Sequence, residues 1–288
     1  MNLIKLIDME KYSFKFTNAC ITIFVILSGC SGGGGSSSGQ GKIKMVTEAR
    51  YISFVVGGIG DVIIDWGDGS KKELMIGKSF VTFEHYYKKA TKHTITISGD
   101  ELRVLECYDN QLTSLDVSNC PLLKGLDCNN NQLTNLDVNN CPLLTVLKCN
   151  KNQLTGLVVS NCSALYLLDC SNNQLTKLDV SNYSALTQLN CRNNLLASLD
   201  VINCPKLSEL DCCENFLTNL DVSDCSALID LDCSKNQLTA TSLDALFGTL
   251  HENVITLKSK FLNISSNIGD SDCNRIIAQN KKWYVSNK

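Results

Sequence analysis

A period of 21 residues, which recurs seven times in one phase, constrains this chain more than any other feature. It places cysteines at positions 107, 128, 149, 170, 191, 212 and 233, and an asparagine follows three residues after each of them. Leucines recur two residues before each cysteine and five residues after it. Because several positions recur together, the period predicts a solenoid in which each coil stacks on the next.

The residue types within one coil predict its local structure. Leu126 and Cys128 are two residues apart, so both face one side of a short strand while Asp127 faces the other. Asn131 follows, and we expect its amide to bond main-chain groups freed by a bend, coil after coil. The return segment, residues 133–144, is too short for a long helix, which predicts extended or 3₁₀ pieces on the convex side.

The spacing of leucine, cysteine and asparagine over residues 123–133 resembles the bacterial leucine-rich repeat. Its cysteine-for-leucine variant is similar to the internalin J type of surface protein, and the resemblance extends over residues 101–240. It implies an α/β solenoid, mostly β, with about seven coils and a binding surface on the concave face. Such a solenoid needs atypical units at both ends to cover its core.

The chain has 16 cysteines, and their pattern favours core packing over chemistry. Neighbouring cysteines of one ladder would hold Cβ atoms about 4.8 Å apart, outside disulfide range. Their spacing does not resemble a zinc knuckle, and buried thiols are inert. Tyr183 takes the place of one cysteine in the second ladder, and a tyrosine could not replace a cysteine that forms a disulfide bridge. Cys213 occupies a phase that faces solvent, so we expect it to be the one thiol that reacts with a label.

The first 41 residues predict export and anchoring. A basic start and a short apolar run over residues 19–27 are typical of a signal peptide, which we assign to 1–29. Leu27-Ser28-Gly29-Cys30 resembles the bacterial lipobox, which implies lipidation of Cys30, with Met1 or Met9 as the start. A Gly/Ser-rich tether follows at 30–41. A buried strand is the less favoured alternative. We expect an outer-membrane lipid anchor and a surface-exposed chain, although the residues after Cys30 leave a periplasmic orientation open.

Residues 42–100 predict a small β-sandwich-like cap. Strands are expected at 51–56, 62–66, 81–87 and 93–97, with some strands shared with the first coil. Asp65-Trp66-Gly67-Asp68-Gly69 and the strands after it resemble the PKD-type immunoglobulin-like module. The two aspartates are assigned to turn chemistry rather than to calcium, because two carboxylates on a hairpin do not make an oxygen cage.

Residues 241–288 predict a helix-containing C-terminal cap. The spacing of apolar residues indicates a helix over 242–251 with Ser242 as its N-cap, then a strand at 261–265. A second amphipathic helix is expected over 270–282, with Cys273, Ile276 and Ile277 facing inward. Trp283 is expected to seal the end of the core.

The net charge and the small number of histidines argue against two classes of function, nucleic-acid binding and catalysis. A net charge of −3 excludes the basic footprint of a nucleic-acid binder. The chain has three histidines, and none lies near a serine or cysteine in a recognisable catalytic motif, so we expect no enzyme activity, no cofactor and no metal site.

The concave face is therefore the predicted ligand-binding surface, and its outward positions follow from the phase. The predicted residues are Arg103, Glu106, Tyr108, Asp127, Lys148, Tyr166, Asp169, Asn190, Arg192, Glu209, Asp211, Asp230 and Asp232. An acidic stripe there would capture a basic protein ligand, or would only keep the exposed strands soluble. The alternatives are a glycan-binding accessory protein of nutrient uptake, stacking sugars on Tyr108 and Tyr166, and an envelope scaffold. We expect membrane contact only through the lipid anchor.

Overall fold

The computed structural model describes residues 41–253 and 259–286, which form a mostly β solenoid. One sheet of 14 strands runs through these residues. The predicted signal peptide, Cys30 and all of the tether except Gly41 lie outside them. No helix within the described ranges is long and apolar enough to cross a membrane.

The N-terminal part contains the longer strands, which are β1 (Gly41–Thr47), β2 (Tyr51–Asp65), β3 (Lys71–Ile76), β4 (Phe80–Tyr86), β5 (His93–Glu106) and β6 (Leu112–Asn119). The coils contribute strands of three residues, which are β7 (Gly125–Asp127), β8 (Val146–Lys148), β9 (Leu167–Asp169), β10 (Gln188–Asn190), β11 (Glu209–Asp211) and β12 (Asp230–Asp232). The C-terminal part consists of α1 (Ala240–Thr249), β13 (Lys260–Asn263), α2 (Ile276–Asn280) and β14 (Trp283–Val285).

The coils stack in parallel and in register. Leu105 on β5 pairs with Leu126 on β7, and the same phase continues through β12. These leucines are fully buried, as are the cysteines of the first ladder, so each strand presents one face to the core. The predicted leucine-rich repeat solenoid is confirmed.

A ladder of asparagine side chains forms hydrogen bonds with the main chain at the bend of each coil. Asn131 Nδ2 donates to the carbonyls of Cys107 and Cys128, each at 3.0 Å. Its Oδ1 accepts from the main-chain N–H groups of Asn110 at 3.1 Å and Leu112 at 2.9 Å. Asn131 Nδ2 also lies 3.2 Å from the Asn129 carbonyl. One side chain therefore joins two coils through five main-chain groups, which confirms the predicted role of this position.

The cysteines of both ladders are buried free thiols. In the second ladder the thiols after Cys120 point at main-chain carbonyls 24 residues earlier, as from Cys162 to Val138 at 3.5 Å and from Cys204 to Val180 at 3.3 Å. Cys120 instead points at the Lys42 carbonyl at 3.5 Å. Burial raises the pKa of Cys162 to about 11. Cysteine thus acts here as a small apolar residue with a weak donor.

The N-terminal cap is joined to the solenoid through β5. This strand pairs with β1 and β2 over its first half, and its last three residues pair with both β2 and β7. The two strands expected at 51–56 and 62–66 are instead one bent strand, β2. Its bend needs glycine, because a Cβ at Gly58 would lie 2.1 Å from the carbonyl oxygen of Glu101, and Gly60 has a φ of 99°.

The C-terminal cap differs from the prediction in detail. The N-cap of α1 is Thr239, whose side chain accepts from Ser242 N, so Ser242 lies inside the first turn. The second helix covers only five residues, and Ile276 is 62% exposed rather than buried. Trp283 is buried, as predicted, and the Lys260 ammonium lies 5.4 Å from its ring centroid.

Candidate functional site: the concave face

Outward-facing residues align across the strands of the concave face. We name as the central row the residues between the inward leucine and cysteine of each coil. Strand register places its members directly beside one another, in the order Glu106, Asp127, Lys148, Asp169, Asn190, Asp211 and Asp232. The residues of the central row, which share one position of the 21-residue repeat, are therefore neighbours in the structure, as the repeat predicts.

The central row is less accessible than expected. Glu106, Asp127 and Asp169 are each only 7% exposed, and Asp211 is 1% exposed. The repeat pattern predicts the side of the strand correctly, but neighbouring strands about 4.8 Å apart crowd their side chains. Most of the predicted acidic stripe is therefore buried, and ligand binding by this row stays a prediction.

A local hydrogen bond explains why aspartate or asparagine recurs there. Asp169 Oδ1 accepts from the main-chain N–H of Ser171 at 3.1 Å, and Asp211 Oδ1 accepts from that of Cys213 at 3.1 Å. Asn190 makes the same bond to Arg192 N at 3.2 Å. Each such side chain ends its strand with an Asx turn, which is a structural role shared by acid and amide.

Charge on this face is partly compensated at two points. Lys148 Nζ lies 3.9 Å from Asp127, and an Arg192 guanidinium nitrogen lies 3.9 Å from Asp211. Burial is the main reason why the pKa of Asp211 and that of Asp230 are both raised to about 6, with neighbouring carboxylates adding to it. The C-terminal coils thus hold carboxylates that are costly to keep ionised.

The predicted residues beside the central row are the accessible ones. Tyr108 is 39% exposed, and Tyr166, Arg192, Glu209 and Asp230 are half-buried. Arg103 is also half-buried, and its guanidinium pairs with Glu101 at 2.6 Å. Gln188 Nε2 donates to Glu209 at 2.9 Å. Ligand contact on this face would therefore fall on the flanking residues.

The same face extends onto the cap, which sequence reasoning did not predict. Val55 on β2 pairs with Glu106, so the outward side of β2 continues the central row. Tyr51 and Tyr86, directly opposite one another on β2 and β4, are 39% and 75% exposed, with ring centroids 4.6 Å apart. Alternation along β2 and β4 was the available signal, since Ile52 and its alternate neighbours are apolar and buried.

One group of side chains has the residue types of a metal site. The ligand atoms of Asp211, Cys213 and Asp232 lie within 4.8 Å of one another. Arg192 adds a positive charge beside Asp211, and burial together with the adjacent carboxylates raises the pKa of Cys213. A protonated thiol next to a guanidinium disfavours a cation, so the geometry alone does not define a metal centre.

Two of the three histidines, His85 and His93, contact the ring of Tyr87 in the N-terminal cap, and the third lies in the C-terminal cap. His85 Nε2 lies 2.8 Å from Asp68 Oδ2, and His93 stacks on Tyr87 with centroids 3.7 Å apart. His251 contacts the Leu228 carbonyl at 2.6 Å in the other cap. Asp68 Oδ1 also accepts from Ser70 N at 3.0 Å, in line with the assigned turn chemistry.

The fold and this face define the class of leucine-rich repeat solenoids with a cysteine ladder. The functional domain of InlJ from Listeria monocytogenes, which includes a cysteine ladder, is 37% identical to this chain with a TM-score of 0.54. The match covers 62% of this chain and 37% of that one. A leucine-rich repeat protein of Leptospira interrogans is 24% identical with a TM-score of 0.55, over 64% of this chain and 48% of that one.

The chain thus spans less than half the length of either structure. No family model and no curated protein matches it.

Proposed function

We propose that this protein is a non-enzymatic lipoprotein of the cell envelope, anchored in the outer membrane through Cys30 and exposed at the surface. It binds a protein partner, in the manner of an adhesin, through its concave face. The observation that carries this proposal is the continuous sheet face from β4 to β14, with accessible charged and aromatic side chains beside its mostly buried central row. The likeness to the InlJ domain supports it.

Charge and shape favour a protein ligand on the solenoid part of this face. Glu209, Arg192 and Asp230 are half-buried and polar, which suits the rim of a protein interface. A photo-crosslinking amino acid at position 188 on β10, compared with one at exposed position 177 in the return segment, tests the proposal in intact cells. A protein adduct from position 188 alone is expected. Equal adducts from both positions, or none, would contradict concave-face binding.

The anchor is tested separately. Protease treatment of whole cells is expected to remove the protein, and Cys30→Ala is expected to release it from the membrane fraction. Protection until the envelope is opened would place the solenoid in the periplasm. A membrane-bound Cys30→Ala variant would show that the lipid anchor is wrong.

A glycan ligand is the second candidate, and the exposed Tyr51–Tyr86 pair favours it. Aromatic rings on an open sheet face offer stacking surface to a sugar ring. Tyr51→Ser with Tyr86→Ser would then abolish binding on a glycan array, whereas the crosslinked protein adduct from position 188 would persist.

A further inference from the structure

Four basic side chains without ion-pair partners lie at one end of the N-terminal cap. Arg50 lies in the turn between β1 and β2, and Lys88, Lys89 and Lys92 lie in the loop between β4 and β5. All four residues are exposed. Among the described residues, no carboxylate lies within ion-pair distance of any of them. We name these four residues the cationic group.

The charge of the cap differs from that of the whole chain. Residues 42–100 have nine lysine and arginine side chains against seven carboxylates, whereas the chain as a whole has a net charge of −3. The turn and the loop that hold the cationic group contain one carboxylate, that of Glu48. In the neighbouring hairpin, Asp68 lies 2.8 Å from His85 Nε2 and Asp65 lies 3.3 Å from Lys71 Nζ. The cationic group is therefore a local excess of positive charge on an acidic protein.

Buried aromatic contacts fix the backbone that carries these cations. Tyr87, the first residue of the loop, is 3% exposed, and its hydroxyl donates to the Trp66 carbonyl at 2.8 Å. Its ring stacks on His93, directly after the loop, with centroids 3.7 Å apart. Tyr87 N donates to the Arg50 carbonyl at 2.7 Å, and an Arg50 guanidinium nitrogen lies 3.5 Å from the Lys88 carbonyl. The turn and the loop are thus held together, which lowers the ordering cost of binding.

The exposed Tyr51–Tyr86 pair adjoins the cationic group. Arg50 directly precedes Tyr51, and Lys88 follows Tyr86 by two residues, a span of at most about 7 Å between Cα atoms. The two tyrosine rings have centroids 4.6 Å apart, and Tyr86 is 75% exposed. A surface for ring stacking and a group of positive charges therefore lie side by side.

Glu84 adds a hydrogen-bond acceptor to this surface. Its Oε1 accepts from the Tyr51 hydroxyl at 2.7 Å, and it lies on the same side of β4 as Tyr86. Its second carboxylate oxygen can accept from a sugar hydroxyl. A glycan presents many hydroxyl donors, whereas the backbone of a DNA strand presents only acceptors. Four cations on an acidic chain also fall short of the extended basic surface of a nucleic-acid binder, so the surface favours a glycan.

We propose that the Tyr51–Tyr86 pair and the cationic group together bind an acidic glycan, a saccharide chain that carries carboxylate or sulfate groups. The tyrosine rings stack on the sugar rings, and the cations pair with the acidic groups. This inference rests on the glycan candidate of the proposed function and names the chemical class of that ligand.

The test removes the charge of the loop and keeps its backbone contacts, which use the carbonyls of Lys88 and Lys89. The loop variant replaces the three lysines of the loop, as Lys88→Gln, Lys89→Gln and Lys92→Gln. The matched control replaces three other exposed lysines of the described ranges that have no ion pair, as Lys78→Gln, Lys177→Gln and Lys206→Gln. Both variants have the same net charge, and both should unfold at the urea midpoint of the wild type.

The probe is a hexamer of galacturonic acid, titrated into the full chain by isothermal titration calorimetry. Its methyl ester has the same sugar rings without the charge. We expect the acid to bind the wild type and the control variant equally, and the loop variant about tenfold more weakly, because three ion pairs are lost. The methyl ester should bind the wild type at least tenfold more weakly than the acid, and added salt should weaken binding of the acid alone.

Equal affinity of the loop variant and the wild type for the acid would overturn the inference, as would a wild type that does not bind the acid. Tighter binding of single-stranded hexathymidylate would assign the surface to nucleic acid instead. Equal binding of the acid and its methyl ester would refute an acidic ligand and leave the glycan candidate standing. If Tyr51→Ser with Tyr86→Ser binds both saccharides as the wild type does, the glycan candidate itself fails, and the adduct from position 188 tests protein binding independently.

Discussion

The hydroxyl group of Tyr183 donates a hydrogen bond to the main-chain carbonyl of Val159, as cysteine thiols do to the corresponding carbonyls in neighbouring coils. Tyr183 is 6% exposed, and burial raises its pKa to about 12. The position therefore holds a buried donor aimed at a carbonyl, and either a thiol or a phenol can fill it. This explains why one tyrosine interrupts the cysteine ladder without interrupting the solenoid.

Tyr183→Phe should destabilise the fold by about 1 kcal/mol, the net contribution of one hydrogen bond. The loss is limited because the Val159 carbonyl keeps its main-chain bond from Cys162 N at 2.7 Å. Urea unfolding followed by circular dichroism measures the difference. Tyr86→Phe is the matched control, since Tyr86 is 75% exposed and should change stability by less than about 0.5 kcal/mol. Equal midpoints for both variants would show that the phenol donor contributes nothing.

Asn173→Ala should cost more, about 3 kcal/mol, because it leaves several buried main-chain groups without a partner. The amide donates to the carbonyls of Cys149 and Cys170 at 3.0 Å and accepts from Leu154 N at 3.0 Å. Urea unfolding reports the loss, and hydrogen exchange should show faster exchange at Leu154 N. Asn150→Ala, at a half-buried turn position of the preceding coil, should have little effect. A similar loss of stability in both variants would mean that the buried amide of the ladder contributes no more than the side chain of a half-buried turn residue.

The outcomes at particular residues show what periodicity can predict. The pairing of Leu105 with Leu126 follows from a period of 21, because a solenoid repeats its contacts at the period of its sequence. The burial of Asp211 does not follow from the period. The alternation of side chains along a strand tells which side Asp211 faces, but it does not tell how closely the side chains of neighbouring coils crowd it. The continuation of the concave face onto Val55 depends on the register of β2 against β5, a contact across 51 residues between Val55 and Glu106. No repeat specifies such a contact.

The free energy of unfolding should rise as the pH falls from 7.5 to about 5, because of two carboxyl groups in the C-terminal coils. Asp211 and Asp230 have a folded-state pKa of about 6, above the value near 3.8 that they have when exposed. The folded state therefore binds more protons than the unfolded state between these values, so the stabilising effect of protonation is complete below the lower pKa and is lost as the pH rises through 6. Glu209, Asp232 and the Arg192 guanidinium face these groups.

Asp211→Asn with Asp230→Asn isolates this effect, because asparagine keeps the acceptor for Cys213 N. The double variant should be more stable than the wild type by about 1 to 2 kcal/mol at pH 7.5 and equal to it at pH 4. Urea unfolding over this range measures both. Asp221→Asn with Asp224→Asn, two exposed acids of the same region, provides the control. A constant difference at all pH values would assign the effect to packing rather than to titration.

The cysteine labelling pattern should be the reverse of the one that the repeat phase predicts. Cys213 faces outward but is only 4% exposed, with Arg192 beside it, and burial raises the pKa of its thiol. Cys273 is half-buried and is the most accessible of the described cysteines. Maleimide labelling of the native protein, read by peptide mass mapping so that each thiol is followed separately, should modify Cys273 first. Cys213 should react only after unfolding in urea. Cys273→Ser should remove the fast phase and Cys213→Ser should leave it unchanged, whereas rapid native labelling of Cys213 would contradict its burial.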